Sequence, residues 1–357
     1  SGIRRRPGAW SAPDTALPAV HDLLLLYDFL HTRGGAERVL HTLYSHFPAQ
    51  VCVAYVNAAS FVDEFAPQDL IDLGVPSFHP MLASLLALPA FAWRGERIAR
   101  RYGRRLYSGA YAVLAHSAVH GGQAIYYCHT PPRFLYDLKA HYAATANPVQ
   151  RLMLRAVAAW LQPRYERAVR AMDVGIANSA NVQRRLRQYV GVEAEVIHPP
   201  VDIERFRWRA AGDYFFSTAR LEPLKRVESI VRAFVQMPEQ RLVVSSGGSE
   251  ATRLRTLAAD APNIHFTGWL DDGELARWMG EARASIYLPV DEDFGMSPVE
   301  SMAAGKPVIG VAEGGLLETV IDGETGILLA PDFDIAALCA AVRRLDGRTA
   351  ATMRAGC

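Results

Sequence analysis

The stretch "EDFGMSPVESMAAGKPVIG" (292–310) holds two carboxylates, Glu292 and Glu300, separated by seven residues that include a glycine and a proline. The preceding "ASIYLPV" reads as a strand. "SPVESMAAG" reads as a helix with Pro298 near its first turn, where a missing N–H costs nothing. "KPVIGVA" reads as the next strand. Glu292 then lies in a strand-to-helix loop, and Glu300 lies about one turn inside the helix. Free amides from Phe294 to Ser297 crown the helix start and attract phosphate, and Gly295 lets a ligand approach the backbone closely. A carboxylate accepts paired hydrogen bonds from vicinal hydroxyls. Two of them flanking an anion site suit a sugar at one end, a diphosphate in the middle and a ribose at the other, which describes a nucleotide sugar. Seen alone, the same glutamates fit solvent-facing charges on a polar helix.

Outward from this stretch the pattern repeats. "DYFFSTAR", "QRLVVSSGG", "NIHFTGW" and "TGILLAP" read as further strands separated by helical segments. Upstream, "DLLLLYDF" (22–29), "VCVAYV" (51–56), "AVLAHS" (112–117), "AIYYCHT" (124–130) and "VGIANS" (174–179) do the same, with crossover helices expected over 94–107 and 150–171. Strand–helix alternation marks parallel sheets wrapped by helices. The double proline Pro199-Pro200 breaks the series, because neither can extend a ladder. The expected fold is therefore α/β with two doubly wound, Rossmann-like domains, 21–198 and 199–357, facing an interdomain cleft. Residues 1–20 form an expected flexible leader: "SGIRRRPGAWSAPDTALPAV" is basic but has no apolar signal-peptide region.

A length of 357 residues exceeds what one core supports, which agrees with two domains. A formal charge of +1 argues against a general polyanion binder, so nucleic acid is not an expected partner. Cys52, Cys128, Cys339 and Cys357 are scattered without C-x-x-C spacing, which argues for a reducing compartment and against disulfides or a zinc site. The apolar run "MLASLLALPAFAW" (81–93) is too short for the ~20 residues of a membrane-spanning helix.

With "EDFGMSPVE" and "AAGKPVIG" in place, the sequence resembles the retaining, family-4 type glycosyltransferases of the GT-B fold, marked by E-x-F-G-x-x-x-x-E followed by A-x-G-x-P-V-I. "FSTARLEPLKR" matches that family's G-R-L-x-x-x-K pattern, with Ala219 where glycine is common. "TRGGAERV" and "EGGLLETVIDGETGIL" extend the likeness to roughly residues 22–345, and "YCHTPPRFLYD" looks like the version in bacterial polysaccharide mannosyltransferases. The resemblance implies that Glu300 binds the donor ribose. It implies that Glu292 binds the transferred sugar, helped by the amides of Phe294, Gly295 and Met296, with Ser297 completing the helix cap. Arg220 and Lys225 would hold the diphosphate, Gly34 and Gly35 would approach it from the facing domain, and His129 would sit beside the sugar. Two such cations make a metal unnecessary, so no cofactor is expected. The implied activity is transfer of a hexose, mannose from GDP-mannose by the "CHTPPR" likeness, to a lipid-linked glycan. The implied place is the cytoplasm, including the inner face of its membrane.

Other readings stay open. The same two-domain plan serves nucleotide-sugar epimerases and glycoside phosphorylases, and a non-catalytic nucleotide-sugar-binding subunit is a third class. Gly34-Gly35 also fits a plain turn, and Asp28, Arg133 and Asp137 also fit caps or loop ion pairs. His129 also fits a satisfied structural group. On the helix expected over 94–107, Arg97, Arg100, Arg101, Arg104 and Arg105 would crowd one face and suit anionic lipid or a lipid-linked diphosphate; the alternative is a solvated basic face.

Overall fold

A computed structural model describes residues 21–31, 34–57, 60–78, 80–116 and 121–357, leaving aside the side chains at 80 and 81. The leader expected over 1–20 lies outside the described residues, as does Ser117. The first sheet comprises β1 (Leu23–Tyr27), β2 (Ala49–Val53), β3 (Leu70–Asp72), β4 (Arg104–Ser108), β5 (Gln123–Cys128), β6 (Val174–Ala177) and β7 (Glu195–Val196). Its order is β3-β2-β1-β4-β5-β6-β7, and every pairing is parallel. The second comprises β8 (Tyr214–Ser217), β9 (Arg241–Ser245), β10 (Ile264–Gly268), β11 (Ala284–Ile286), β12 (Val308–Val311) and β13 (Gly326–Leu329). It is ordered β10-β9-β8-β11-β12-β13, again parallel throughout.

Helices on both faces explain why β1 is an unbroken apolar run. Leu24 and Leu26 pack with Phe91, Tyr107, Tyr126 and Tyr165 on one side, while Leu25 packs with Leu40, Val51, Phe61 and Phe65 on the other. The second sheet divides in the same way, with Phe215 facing Phe234 and Leu254, and Phe216 facing Phe206 and Met279. Strand order reverses between β1 and β4 in the first sheet and between β8 and β11 in the second. Crevices open at the carboxyl ends of strands at such switch points. The loops leaving β1, β8 and β11 carry Gly34-Gly35, Arg220 and Glu292 respectively.

The structure corrects two sequence expectations. The helix expected over 94–107 stops early: Pro80–Pro89 widens into a π-helical turn over Ala90–Gly95, and Glu96–Ala99 ends it. Asp22 then takes the chain into β4, accepting from the Gly103 amide at 3.1 Å and the Arg104 guanidinium at 3.0 Å. The arginine face therefore does not exist as a helical stripe. Arg97 and Arg101 are exposed near the helix end and Arg104 pairs with Asp22. Arg105 is buried, donating to the carbonyls of Tyr102 and Gly121 at 2.8 and 2.5 Å. Second, "AVLAHS" is not a strand: Ala112–His116 is a wholly buried 3-10 turn. Short apolar runs do not distinguish a strand from a buried helix, and here Asp28 decides. Its carboxylate accepts from the amides of Ala110, Tyr111 and Ala112, each at 2.8 Å, and so nucleates the turn. Burial pushes the Asp28 carboxyl up to about 6 against the pull of those amides, so the carboxylate is the major form at neutral pH.

Replacing that acceptor leaves buried amides without a partner. Asp28→Ala is expected to lower stability by about 3 kcal/mol in urea unfolding at pH 7. A loss below about 0.5 kcal/mol would contradict the capping role.

Candidate functional site

The site is assembled from the ends of β8 and β11 and the helix that follows β11. Residues 223–225 form one 3-10 turn, and Arg226 then adopts a left-handed backbone at φ 50°. This turn aims Lys225 Nζ at Glu292 Oε2, 2.6 Å away, with the Tyr287 hydroxyl at 3.3 Å. Both charged side chains keep about 18% of their surface open. Burial works to lower the Lys225 pKa, but Tyr287 and Glu292 push it above its ordinary value, so the ammonium is fully charged at neutral pH. Arg220, at the same strand end, is exposed, and its charge acts on Glu37 and Tyr27 of the first sheet's unit. Burial raises the Glu37 pKa, and Arg220 opposes it.

The helix Met296–Ala303 begins at Gly295, whose φ of 91° is a left-handed value natural to glycine. Glu300 is only 7% exposed on it. Burial raises its pKa, while the charges of Arg38 and Arg205 pull the other way. Phe294 is buried and stacks on His198 at 5.1 Å, which fixes the loop just ahead of the helix. Met296 and Ser297 lie half-buried in its first turn.

The facing unit closes on this helix. A Cβ built on Gly35 would lie 2.7 Å from the Met296 sulfur, so the glycine loop and the Glu300 helix are in direct apposition. Gly34 caps the helix Gly35–His46. One residue past that contact pair's neighbour Glu37, Arg38 reaches Asp272 at 2.6 Å, and Arg205 holds the other oxygen at 2.7 Å. Burial would raise the Asp272 pKa, but these two guanidinium groups hold it below its usual value. His129 follows β5, with its Nε2 2.7 Å from the Ser108 hydroxyl and its ring between Tyr27 and Tyr127. Burial lowers its pKa to about 4, leaving a neutral imidazole.

Lys225, Glu292, Gly295, Met296, Ser297 and Glu300 therefore share one strand-to-helix corner, with Gly34 and Gly35 opposite and Arg220 acting across the gap. His129 enters from the first sheet's strand ends. Arg97, Arg101, Arg104 and Arg105 do not join them. Sequence reasoning missed Arg38, Asp272 and Arg205, whose roles appear only when the two units meet. It also missed Ser179, Asn181 and Arg185, although "ANSANVQRR" directly after β6 was the available signal. Arg133 and Asp137 prove to be partners: they pair at 2.6 Å, and Arg133 also donates to the Asp291 carbonyl at 3.1 Å.

Comparison with known proteins matches each half of the chain. Residues 201–346 match the model described as glycosyl transferases group 1, and residues 33–205 match the one described as Glycosyltransferase Family 4. The chain is 31% identical over 196 residues to D-inositol 3-phosphate glycosyltransferase 2 of Catenulispora acidiphila, covering 46% of each chain. It is 32% identical over 222 residues to a glycogen synthase of Mycobacterium tuberculosis, covering 57% of this chain and 51% of that one. The chain thus spans about half the length of the curated relatives it matches. Among solved structures, Anabaena HepE in complex with UDP and glucose gives a TM-score of 0.73 at 21% identity over 94% of this chain and 93% of that one. Sucrose-phosphate synthase from Thermosynechococcus elongatus gives 0.73 at 22% over the same shares. At these identities the likeness is one of fold, and the fold is GT-B.

The neutral His129 links stability to acid. Its folded pKa lies below its unfolded value, so the unfolded chain takes the proton first and stability is lost as pH falls from about 6.5 towards 4. His129→Asn is expected to shrink the loss between pH 7 and pH 5 by at most about 2 kcal/mol in urea unfolding. An unchanged loss would contradict a half-buried, neutral His129.

Proposed function

We propose that this chain, a member of the group 1 and family 4 glycosyltransferases of the GT-B type, transfers a hexose from a nucleotide diphosphate sugar to an acceptor with retention. The observation that carries the reading is the Lys225–Glu292 pair, set at a helix start whose next turn presents the buried Glu300. Residues 199–357 form the donor-side domain in this proposal, and residues 21–198 form the acceptor side.

Breaking the glycosidic C–O bond places positive charge on the sugar and negative charge on the leaving diphosphate. Arg220 as a fork, Lys225 as a point charge and the amides from Gly295 to Ser297 stabilise the leaving group, so most of the barrier reduction is electrostatic. Glu292 accepts from hydroxyls of the transferred sugar and Glu300 from the ribose. The acceptor attacks from the face the leaving group departs, and a phosphate oxygen takes its proton. No protein nucleophile is assigned. His129, neutral at the strand ends of the first sheet, would offer a hydrogen bond without adding charge.

The donor we favour is GDP-mannose, supported by the "CHTPPR" resemblance alone, and the acceptor is a lipid-linked glycan. Its membrane contact moves to a different surface from the one the sequence suggested. Between Asp137 and Glu166 there is no acidic residue, while Lys139, Arg151, Arg155 and Arg164 are present. The helix Pro148–Arg170 has no buried residue before Leu161 and exposes Val149, Leu152 and Trp160. An apolar, basic, acid-free helix face suits an anionic bilayer on the cytoplasmic side. No described helix is long and apolar enough to cross a membrane.

Incubating donor without acceptor tests the activity. Slow release of sugar and nucleoside diphosphate, undiminished by EDTA, is expected. A 2-epimer product, or binding without turnover, would replace the reading with an epimerase or a binding subunit. Glu300→Ala is expected to weaken donor binding about tenfold, and Lys225→Ala to lower kcat on the order of 100-fold. Full activity in both would refute the site. In flotation with anionic liposomes, Leu152→Glu with Trp160→Glu is expected to abolish association, and unchanged flotation would remove the membrane face.

A further inference from the structure

The loop that carries Glu292 is gripped from the opposite domain by a side chain the reaction scheme does not use. Arg185 ends the helix Ala180–Arg185, which follows β6 of the first sheet, and its side chain is 4% exposed. One arm, Nη1, meets the Asp293 carboxylate and donates to Thr130 Oγ1 at 3.2 Å. The other, Nη2, donates to the Asp291 carbonyl at 2.7 Å and pairs with the Asp291 carboxylate at 2.8 Å. One planar guanidinium thus brackets Glu292 by holding the residue on each side of it. Within the same helix and its cap, Asn181 Nδ2 donates to the Glu292 carbonyl at 2.8 Å, and Ser179 Oγ to the Asp293 carbonyl at 2.6 Å. From the donor side the Gly315 amide reaches the same Glu292 carbonyl at 2.7 Å.

This grip holds an unfavourable backbone. Asp291 has φ 43°, a left-handed value uncommon for any residue but glycine, and such geometry persists where its surroundings over-determine it. Burial works against the Arg185 charge, but Asp293 and Asp291 together raise its pKa further, so the bracket stays charged throughout the working pH range.

We propose that Arg185 is a positioning residue that sets Glu292 against Lys225 and makes the sugar-binding carboxylate depend on domain closure. An ammonium replaces it only in part, because a single point charge does not span both flanking aspartates. The role rests on the assignment of Glu292 to the transferred sugar. It leaves the Arg220 contact to the diphosphate and the Glu300 contact to the ribose independent of Arg185.

Steady-state kinetics with the hydrolysed donor, paired with calorimetric titration of GDP and UDP, test it. Arg185→Gln is expected to lower kcat on the order of 100-fold with KM and the nucleoside diphosphate Kd within about threefold. Arg185→Lys is expected to recover part of kcat, and Asp293→Asn to reproduce the loss. The double variant is expected to be no worse than either single, because the two groups act as one unit. The proposal is overturned by a kcat within threefold of wild type in Arg185→Gln, by additive losses in the double variant, or by nucleotide binding that falls in step with kcat. If Arg185→Gln does not fold, Asp293→Asn decides alone by the same criteria. Wild-type turnover separates the two claims: none at all removes the transferase reading and this role with it, while turnover unaffected by the variants removes only the role.

Discussion

A cation and an anion from different strand ends, held 2.6 Å apart in a half-closed corner, organise the strand ends of the second sheet. Neither Lys225 nor Glu292 is buried deeply enough to be inert, and neither is open enough for water to screen it fully. Taking one partner away from such a pair is costly, whereas exchanging partners is not. In the proposed reaction a nucleotide sugar would supply that exchange, its diphosphate taking the ammonium and its sugar hydroxyls the carboxylate. The pair thus holds its charged groups near the positions the proposed reaction needs, which favours electrostatic preorganisation over rearrangement at the moment of reaction.

Contacts of unlike kinds join the domains around this corner. Arg38 and Asp272 meet beside Glu300, with 18% and 33% of their side chains open. An accessible pair of this kind contributes about 1 kcal/mol or less and yields to salt and water. The Arg185 guanidinium beside Glu292 is 4% exposed and shared among several acceptors, while its partners Asp291 and Asp293 keep 35% and 28% of their side chains open. Breaking its contacts would leave a buried charge, a far larger cost.

Much of this was legible in the sequence because short-range chemistry specifies it. The Gly295–Pro298 helix start, the alternation of strands and helices, and the spacing of Glu292 from Glu300 depend on neighbours a few residues away. The errors arose where distant groups decide. Ala112–His116 looks like a strand until the Asp28 carboxylate, more than eighty residues earlier, is placed at its amides. Arg105 looks like a surface cation until β4 forms between β1 and β5 and turns it inward. β3, three residues long, carries too little pattern to be seen at all. Arg38, Asp272 and Arg185 are ordinary charges on ordinary helices, and only the meeting of the two sheets gives them partners.

The most direct measurement is a crystal structure of the chain soaked with an intact, slowly hydrolysed nucleotide sugar. Its diphosphate should lie between Gly35 and Lys225, with the ribose hydroxyls on Glu300 and the hexose hydroxyls on Glu292. A ligand bound with both glutamates unoccupied, or held outside the gap between Gly35 and Met296, would contradict the account.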